Sequence, residues 1–306
     1  MGRKAVIDIG TNSIKFILAE MGNGGQFKAV MDKNNIAQLG EGLKETGKIS
    51  PEAMARNCAA VKEFAEIARA EGADEIFAVG TMALRKASNT AEFAKMVKDE
   101  AGIEIRVIPG DDEARYSYLA VVSGIDLGQG RLVIIDTGGG STEFVFGEGD
   151  RLDKRFSLEL GALRITEEFL KADPVSSDGV AAAEKSIDGF LADNGVNGKA
   201  DKLVGMGGGI TSMASVMFEM VEYDPDKVQG CKLSLAEVEK QIAMYCAKTI
   251  EQRRTIVGLQ PKRADTILAS ALIVKGIMLR LGVDGLIVSD RGLRHGLLYD
   301  IGKAIK

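Results

Sequence analysis

The chain has 306 residues, 45% of them hydrophobic and 27% charged, with a formal net charge of −5. That length and apolar content can fill one or two full cores, and two domains of about 150 residues each is the natural division. The acidic balance without a basic stripe argues against a nucleic-acid binder, and no stretch reaches the about 18 uncharged apolar residues of a membrane helix. With a strand pattern already at the N-terminus, no signal peptide is expected. Cys58, Cys231 and Cys246 lack ligand spacing, and His295 is the single histidine. Zinc and a catalytic histidine cluster are therefore disfavoured, and the thiols read as reduced, in a cytoplasmic protein. Cys58 falls in line with Met54, Val61, Ala65 and Ala68 on a helical stripe, which makes it a core residue.

Residues 3–8 and 14–19 read as an opening hairpin and 26–31 as a third strand, with a polar, glycine-dotted loop over 32–47. Ser50-Pro51-Glu52 supplies a cap, a first-turn proline and an early acid, predicting a helix over 50–71. A strand over 75–79, a brief helix after the turn 80–85, a helix over 90–101, a strand over 103–108 and a helix over 111–122 follow. The second half opens as the first does, with strands over 131–136, 142–147 and 152–157. Helices are expected from about 162 to 171 and over 177–193, then a strand over 203–205 running into glycines and another helix. A polar loop over 224–233, helices over 235–248 and 261–281, a strand over 286–289 and a helix to about 303 complete the chain. Strands alternating with helices predict an α/β fold with mixed sheets and right-handed crossovers. Glycines place the boundary within 124–130.

The stretch 132–147 organises the chemistry. An aliphatic strand ends in Asp136; Gly138, Gly139 and Gly140 force a turn; Ser141, Thr142 and Glu143 open the returning strand. Three glycines clear side chains away from backbone N–H groups that could cradle an anion, and Ser141 and Thr142 add hydroxyls. Asp136 and Glu143 flank that hole, where carboxylates are wasteful unless a divalent cation such as Mg²⁺ sits between them and a phosphate. One copy could equally be an ordinary glycine-rich hairpin. The device occurs twice, however: strand, Asp8, the turn Gly10-Thr11-Asn12-Ser13 and a second strand follow the same plan 128 positions earlier. Two similar domains, each opening with a phosphate-handling hairpin, would grip a phosphorylated ligand from both sides.

Other candidates each have a plainer reading. Asp111, Asp112 and Glu113 open a helix, where acids complement the macrodipole; alternatively one is a general base activating water. Arg85 could hold phosphate oxygens bidentately or form a surface ion pair. Gly207, Gly208 and Gly209, between a strand and a helix, read as a further anion or nucleotide cradle. Lys15 and Arg291 are candidates for charge neutralisation, whereas Met213, Met217 and Met220 read as core filler.

The motifs Asp8-Ile-Gly-Thr-Asn-Ser, Gly80-Thr-Met-Ala-Leu-Arg85, Pro109-Gly-Asp-Asp-Glu113-Ala-Arg, Asp136-Thr-Gly-Gly-Gly-Ser-Thr-Glu143, Gly161-Ala-Leu-Arg and Gly207-Gly-Gly stand in one order. With Arg253-Arg254, Gly258-Leu259, Arg263-Ala-Asp and Ser289-Asp-Arg-Gly-Leu-Arg294, they make the whole chain resemble the exopolyphosphatase/guanosine pentaphosphate phosphohydrolase family. The resemblance implies two ribonuclease-H-like domains of the actin/sugar-kinase/chaperone-ATPase superfamily with an interdomain cleft. The domains would be 1–124 plus 292–306, and 125–291. It implies Glu113 as the carboxylate that activates water, and Asp136 and Glu143 as the pair organising Mg²⁺. Phosphate would be held by Asp8, Gly10, Thr11, Asn12, Ser13, Arg85, Gly138, Gly139, Gly140, Ser141, Thr142, Gly207, Gly208 and Gly209.

Two departures stand out. The chain resembles a short, two-domain form without the C-terminal hydrolase-like extension of many relatives. The usual Val-His-Gly reads Val228-Gln229-Gly230, and His295 stands where Glu is common. The expected reaction is Mg²⁺-dependent hydrolysis of the terminal phosphoanhydride of inorganic polyphosphate, with modest processivity, or of the 5′ phosphate of guanosine pentaphosphate. A kinase on the same fold and a non-catalytic alarmone or nucleotide sensor are the alternatives. A homodimer is left open.

Overall fold

The computed structural model describes residues 2–125, 128–148 and 151–304, the side chain of residue 44 aside. Two compact units emerge: Met1–Ser123 with Gly292–Lys306, and Gly124–Arg291. Residues 126 and 127, inside the expected boundary 124–130, lie outside the described residues.

In the first unit β1 (Arg3–Ile9), β2 (Ile14–Met21) and β3 (Phe27–Asn35) form an antiparallel meander. Helices α1 (Leu43–Thr46) and α2 (Pro51–Ala70) lead to β4 (Ala73–Gly80), parallel to β1. Next, α3 (Met82–Lys86) and α4 (Thr90–Ala101) lead to β5 (Ile105–Val107), parallel to β4, and then α5 (Gly110–Val122). The sheet order is β3-β2-β1-β4-β5, which is ribonuclease-H-like.

The second unit repeats the plan. β6 (Leu132–Thr137), β7 (Thr142–Glu148) and β8 (Arg151–Leu158) form the meander, and α6 (Ala162–Phe169) and α7 (Ser177–Asp193) precede β9 (Lys202–Met206), parallel to β6. The chain continues through α8 (Gly208–Met217), α9 (Pro225–Val228), β10 (Lys232–Ser234), α10 (Leu235–Cys246), α11 (Ile250–Arg253) and α12 (Ile267–Leu281). It then enters β11 (Gly285–Val288), parallel to β9 and antiparallel to β10. From the β8 edge, β8-β7-β6-β9-β11 reproduces the first sheet's order, with β10 added beyond. The last helix, α13 (Leu293–Ala304), belongs to the first unit.

Local chemistry explains most boundaries. Ser50 caps α2 by accepting from the Ala53 N–H at 3.2 Å, with Pro51 in the first turn. Helices lie on both faces of the first sheet, so Ala5–Ile9 is a continuous buried run rather than an alternating one. One face packs on α2 and α4, where Phe16 stacks on Phe64 at 5.0 Å. The other packs on α5 and α13, where Val6, Ile17, Tyr116 and Leu297 meet. Gly296 lets these two helices cross closely, because a Cβ there would lie 1.8 Å from the Tyr116 carbonyl oxygen. Arg115 ties them with hydrogen bonds of 2.9 Å and 2.5 Å to the Asp300 carboxylate. In the second unit α12 is apolar nearly all round and is buried accordingly. Cys58, Met54, Val61, Ala65 and Ala68 are all buried, as their stripe predicts.

Several elements differ from expectation: the short helices α1 and α9 fall in the expected loops 32–47 and 224–233, and three further differences have a clear cause. β3 runs on to Asn35 because it stays paired with β2 to the end of that strand, even where its own residues are polar. The helix expected from 261 begins at Ile267, and Pro261–Arg263 instead make a 3₁₀ turn. β10 falls in the expected loop 224–233; three residues are too few to show an alternating pattern, and pairing with β11 creates the strand.

Candidate active site

The first half-site lies at the end of β1. The turn 10–13 closes with the Gly10 N–H donating to the Ser13 carbonyl at 3.1 Å, and Asp8 sits directly opposite Lys15. Asp8 is only 7% exposed. Burial pushes its carboxyl above the usual range, Lys15 and then Arg294 pull it down, and Glu113 pushes it up again. Arg85 on α3 places Nη1 at 2.8 Å from Glu113 Oε2 and donates to the Ile108 carbonyl at 2.9 Å. Asp112, the neighbour of Glu113 in the same helical turn, pairs instead with Arg106 at 3.2 Å. The first unit thus assembles Asp8, Arg85 and Glu113 around one strand end. Thr11 and Asn12 sit at the tip of the turn, Asn12 exposed.

The second half-site repeats the backbone and changes the charges. The Gly138 N–H donates to the Ser141 carbonyl at 2.9 Å, and Asp136 sits directly opposite Glu143. Gly138, Gly139 and Gly140 are exposed. Glu143 Oε1 accepts from the Ser141 hydroxyl at 2.6 Å and from the Ser157 hydroxyl at 2.8 Å. Burial above all, with the neighbouring Asp136, holds the Glu143 carboxyl above its usual range against those two hydrogen bonds. Both hydroxyls expected as phosphate donors are engaged within the protein. Ser141 serves Glu143, and the fully buried Thr142 donates to the Leu160 carbonyl at 2.5 Å.

The turn is pressed against the start of α6. Ala162 and Leu163 donate to the Gly138 and Gly139 carbonyls at 3.0 and 2.8 Å, and a Cβ on Gly161 would lie 2.2 Å from the Gly139 oxygen. The glycines after β9 have three separate duties. Gly207 takes φ 97° and leaves room for Asp136, whose Oδ1 would lie 2.7 Å from a Cβ there. Gly208 lies against the Arg263 guanidinium, 1.9 Å from its Cβ position, and buried Gly209 faces Ser270. Of these, Gly207 is the one packed against the carboxylate pair.

Whether this second half-site suits Mg²⁺ depends on its donors. Among the described residues no group of three or more His, Cys, Asp or Glu is placed to hold a metal ion. Two carboxylates on neighbouring strands are nevertheless the protein ligand set that Mg²⁺ favours. That ion keeps several waters and completes its shell with substrate phosphate oxygens, whereas Ca²⁺ or Zn²⁺ would want a fuller cage.

Three residues at these half-sites have no role assigned from the sequence, although Arg263 and Arg294 stand in the motifs that carry the family resemblance. Ser157 is traceable in principle, since β8 pairs it with Glu143. Arg263 reaches Gly208 from the 3₁₀ turn before α12, and Arg294, on α13 at the far end of the sequence, grips Asp32 while its charge pulls the Asp8 carboxyl down.

Comparison with known proteins gives the chain's relatives. The model of the Ppx/GppA phosphatase family matches residues 17–304. Exopolyphosphatase 2 of Mycobacterium tuberculosis (strain CDC 1551 / Oshkosh) is 31% identical over 314 residues, covering 98% of either protein. A bifunctional 3-dehydroquinate synthase/phosphatase of Fusobacterium nucleatum is also 31% identical over 314 residues, which take in 97% of this chain and 46% of that protein. Among solved structures, the type II variant of the Aquifex aeolicus Ppx/GppA phosphatase superposes with a TM-score of 0.89 at 33% identity, covering 98% of this chain and 99% of the other. A family match over nearly all of the sequence and a relative 31% identical along almost its whole length lead to one conclusion: the chain belongs to the Ppx/GppA phosphatase family.

Proposed function

We propose that this protein is an exopolyphosphatase, hydrolysing the terminal phosphoanhydride of inorganic polyphosphate to release orthophosphate. The observation that carries the reading is the opposed pair Asp136 and Glu143 at the mouth of a glycine turn. Two acids directly across a strand pair repel each other, and a polyanion beside them would add to that repulsion. A cation shared by carboxylates and phosphate removes both penalties. Mg²⁺, held by Asp136 and Glu143, would supply charge neutralisation for the phosphate oxygens and the leaving group.

The chain's own residues do the rest. Glu113 accepts the proton of the attacking water, and Arg85 at 2.8 Å fixes the carboxylate that does so. Ser141 and Ser157 fix the rotamer of Glu143 through Oε1. Apart from the Gly10 and Gly138 N–H groups, which close the turns, the backbone N–H groups of 11–13 and 139–141 would offer uncharged donors to phosphate oxygens, at little cost in reorganisation as charge develops. The preference for polyphosphate follows the name of the Mycobacterium relative; guanosine pentaphosphate is the competing substrate of the same bond type.

The test is phosphate release from polyphosphate and from guanosine pentaphosphate, with Mg²⁺ and without any acceptor, by wild type and Glu113→Gln. Wild type should release phosphate from polyphosphate, and the variant should lose on the order of 10²–10⁴-fold in kcat. Activity retained in Glu113→Gln removes that residue as the base. Turnover that requires an added acceptor makes the protein a kinase, and binding without turnover makes it a sensor.

A further inference from the structure

The two glycine-containing turns are held from behind in different ways, and the difference falls on side chains that no step above uses. In the second unit the backbone of α6 reaches the turn itself, through the Ala162 and Leu163 N–H groups. In the first unit the segment 37–41, between β3 and α1, takes that place. The Gln38 N–H donates to the Asn12 carbonyl at 2.9 Å, and the Gly40 N–H to the Thr11 carbonyl at 2.8 Å.

Those two bonds aim the turn. A trans peptide points its C=O and its N–H in opposite directions. With the Thr11 and Asn12 carbonyls drawn onto the segment, the Asn12 and Ser13 N–H groups are turned away from it. Among the described residues, neither of these N–H groups donates to a protein acceptor. Successive backbone N–H groups left open in this way suit the oxygens of an anion.

The segment does not hold its shape by local preference. Gln38 stands at φ 49°, a left-handed conformation that a residue other than glycine seldom adopts. Such strain persists only where the surroundings impose it, and here α2 imposes it. Arg56 donates from Nε to the Ala37 carbonyl at 2.7 Å and from Nη2 to the Gln38 carbonyl at 3.3 Å, and Nη2 also meets Glu41 Oε2 at 2.8 Å. The fully buried Asn57 donates from Nδ2 to the same Ala37 carbonyl at 2.8 Å and to the Ala53 carbonyl at 2.8 Å. Its Oδ1 has no hydrogen-bond partner among the described residues. A buried amide oxygen left unpaired costs stability, so packing alone would favour an apolar side chain at this position. Ala37 and Leu39 sink into the layer of α2, which seats the segment against the helix that clamps it.

We propose that Arg56 and Asn57 are positioning residues for phosphate binding: by clamping the Ala37 and Gln38 carbonyls, they fix the segment that aims the Asn12 and Ser13 N–H groups at a phosphate oxygen. Neither side chain touches the substrate. The exposed ion pair with Glu41 is secondary, since such pairs contribute little, and the guanidinium acts through its bonds to the two carbonyls. The proposal deepens the exopolyphosphatase reading and rests on its assignment of the turn 10–13 to phosphate, but its first test needs no turnover.

In the ¹⁵N-labelled chain titrated with inorganic phosphate, the Asn12 and Ser13 amide signals of wild type should shift. Arg56→Gln, at an exposed helix position, and Asn57→Ala should each raise the dissociation constant read from those signals by about 10-fold, by analogy with outer-shell partners of ligands. Glu41→Gln should leave it unchanged. Arg56→Gln carries the test if Asn57→Ala does not fold. Unmoved Asn12 and Ser13 amides in wild type overturn the proposal. So does an Arg56→Gln variant whose urea midpoint falls while its phosphate titration stays as in wild type, the mark of a merely structural role. Equal weakening by Glu41→Gln also overturns it, by making the ion pair the cause. In turnover, kcat/KM for polyphosphate should fall in step with phosphate affinity across the variants. Absence of phosphate release by wild type would instead sink the functional reading and leave the titration result standing.

Discussion

The two hairpins have the same backbone and opposite chemistry. In each, the residue two after the aspartate donates its N–H across the turn, at 3.1 Å from Gly10 and 2.9 Å from Gly138, and the aspartate faces the second residue of the returning strand. That facing residue is Lys15 in the first unit and Glu143 in the second. A lysine sets a positive charge opposite Asp8 and pulls its carboxyl down against burial; a glutamate sets a second anion opposite Asp136. One register position therefore decides which aspartate faces a cation and which faces an anion, on turns of the same geometry.

Making the second hairpin imitate the first should have the largest effect. If Glu143 holds the proposed Mg²⁺, Glu143→Lys replaces that ligand by a cation, and phosphate release should fall by about 10²-fold or more, on the order of losing a main electrostatic contact. Steady-state kinetics across Mg²⁺ concentrations checks this; activity within a few-fold of wild type would mean that Glu143 holds no ion.

Next in size is the packing behind each turn. Gly161→Ala would press a Cβ to 2.2 Å from the Gly139 carbonyl oxygen and 2.4 Å from Gly140, both backbone, whereas Gly40→Ala would meet the Thr11 methyl at 2.3 Å. A side-chain methyl can turn aside and backbone cannot. We expect Gly161→Ala to cost about 1–3 kcal/mol and Gly40→Ala clearly less, measured by urea unfolding. Equal losses would remove the distinction.

A smaller loss is expected from Ser157→Ala, which deletes one of the two hydroxyls on Glu143 Oε1. By analogy with outer-shell partners of metal ligands, about 10-fold in Mg²⁺-supported activity should go. Titrating Mg²⁺ against kcat and seeing no change in the half-saturating concentration would count against it.

The subtlest test is the pH dependence of stability. Glu143 has a raised carboxyl pKa in the folded protein, chiefly from burial. Its contribution is thus most favourable below the unfolded value and is lost as pH rises through the folded one. In metal-free protein, Glu143→Gln should therefore gain thermal stability relative to wild type as pH rises from about 4 to about 7, and Mg²⁺ should shrink that gain. Asp32, held low by His295 and Arg294, runs the other way: its contribution is present above the unfolded pKa and lost as pH falls.

What the sequence determined by itself was everything carried by short-range pattern. The paired Asp-turn-strand devices, the cap at Ser50, the α/β alternation and the buried aliphatic runs all follow from residues within a few positions of one another. The family resemblance added roles for Glu113, Asp136 and Glu143. Tertiary structure decided the rest, because it depends on which strand lies beside which and which helix returns. Only pairing turns Lys232–Ser234 into a strand, sets Ser157 against Glu143, and directs Thr142 to Leu160 instead of outward. Only the return of α13 puts Arg294 on Asp32, and no local propensity encodes a contact between residues so far apart in sequence.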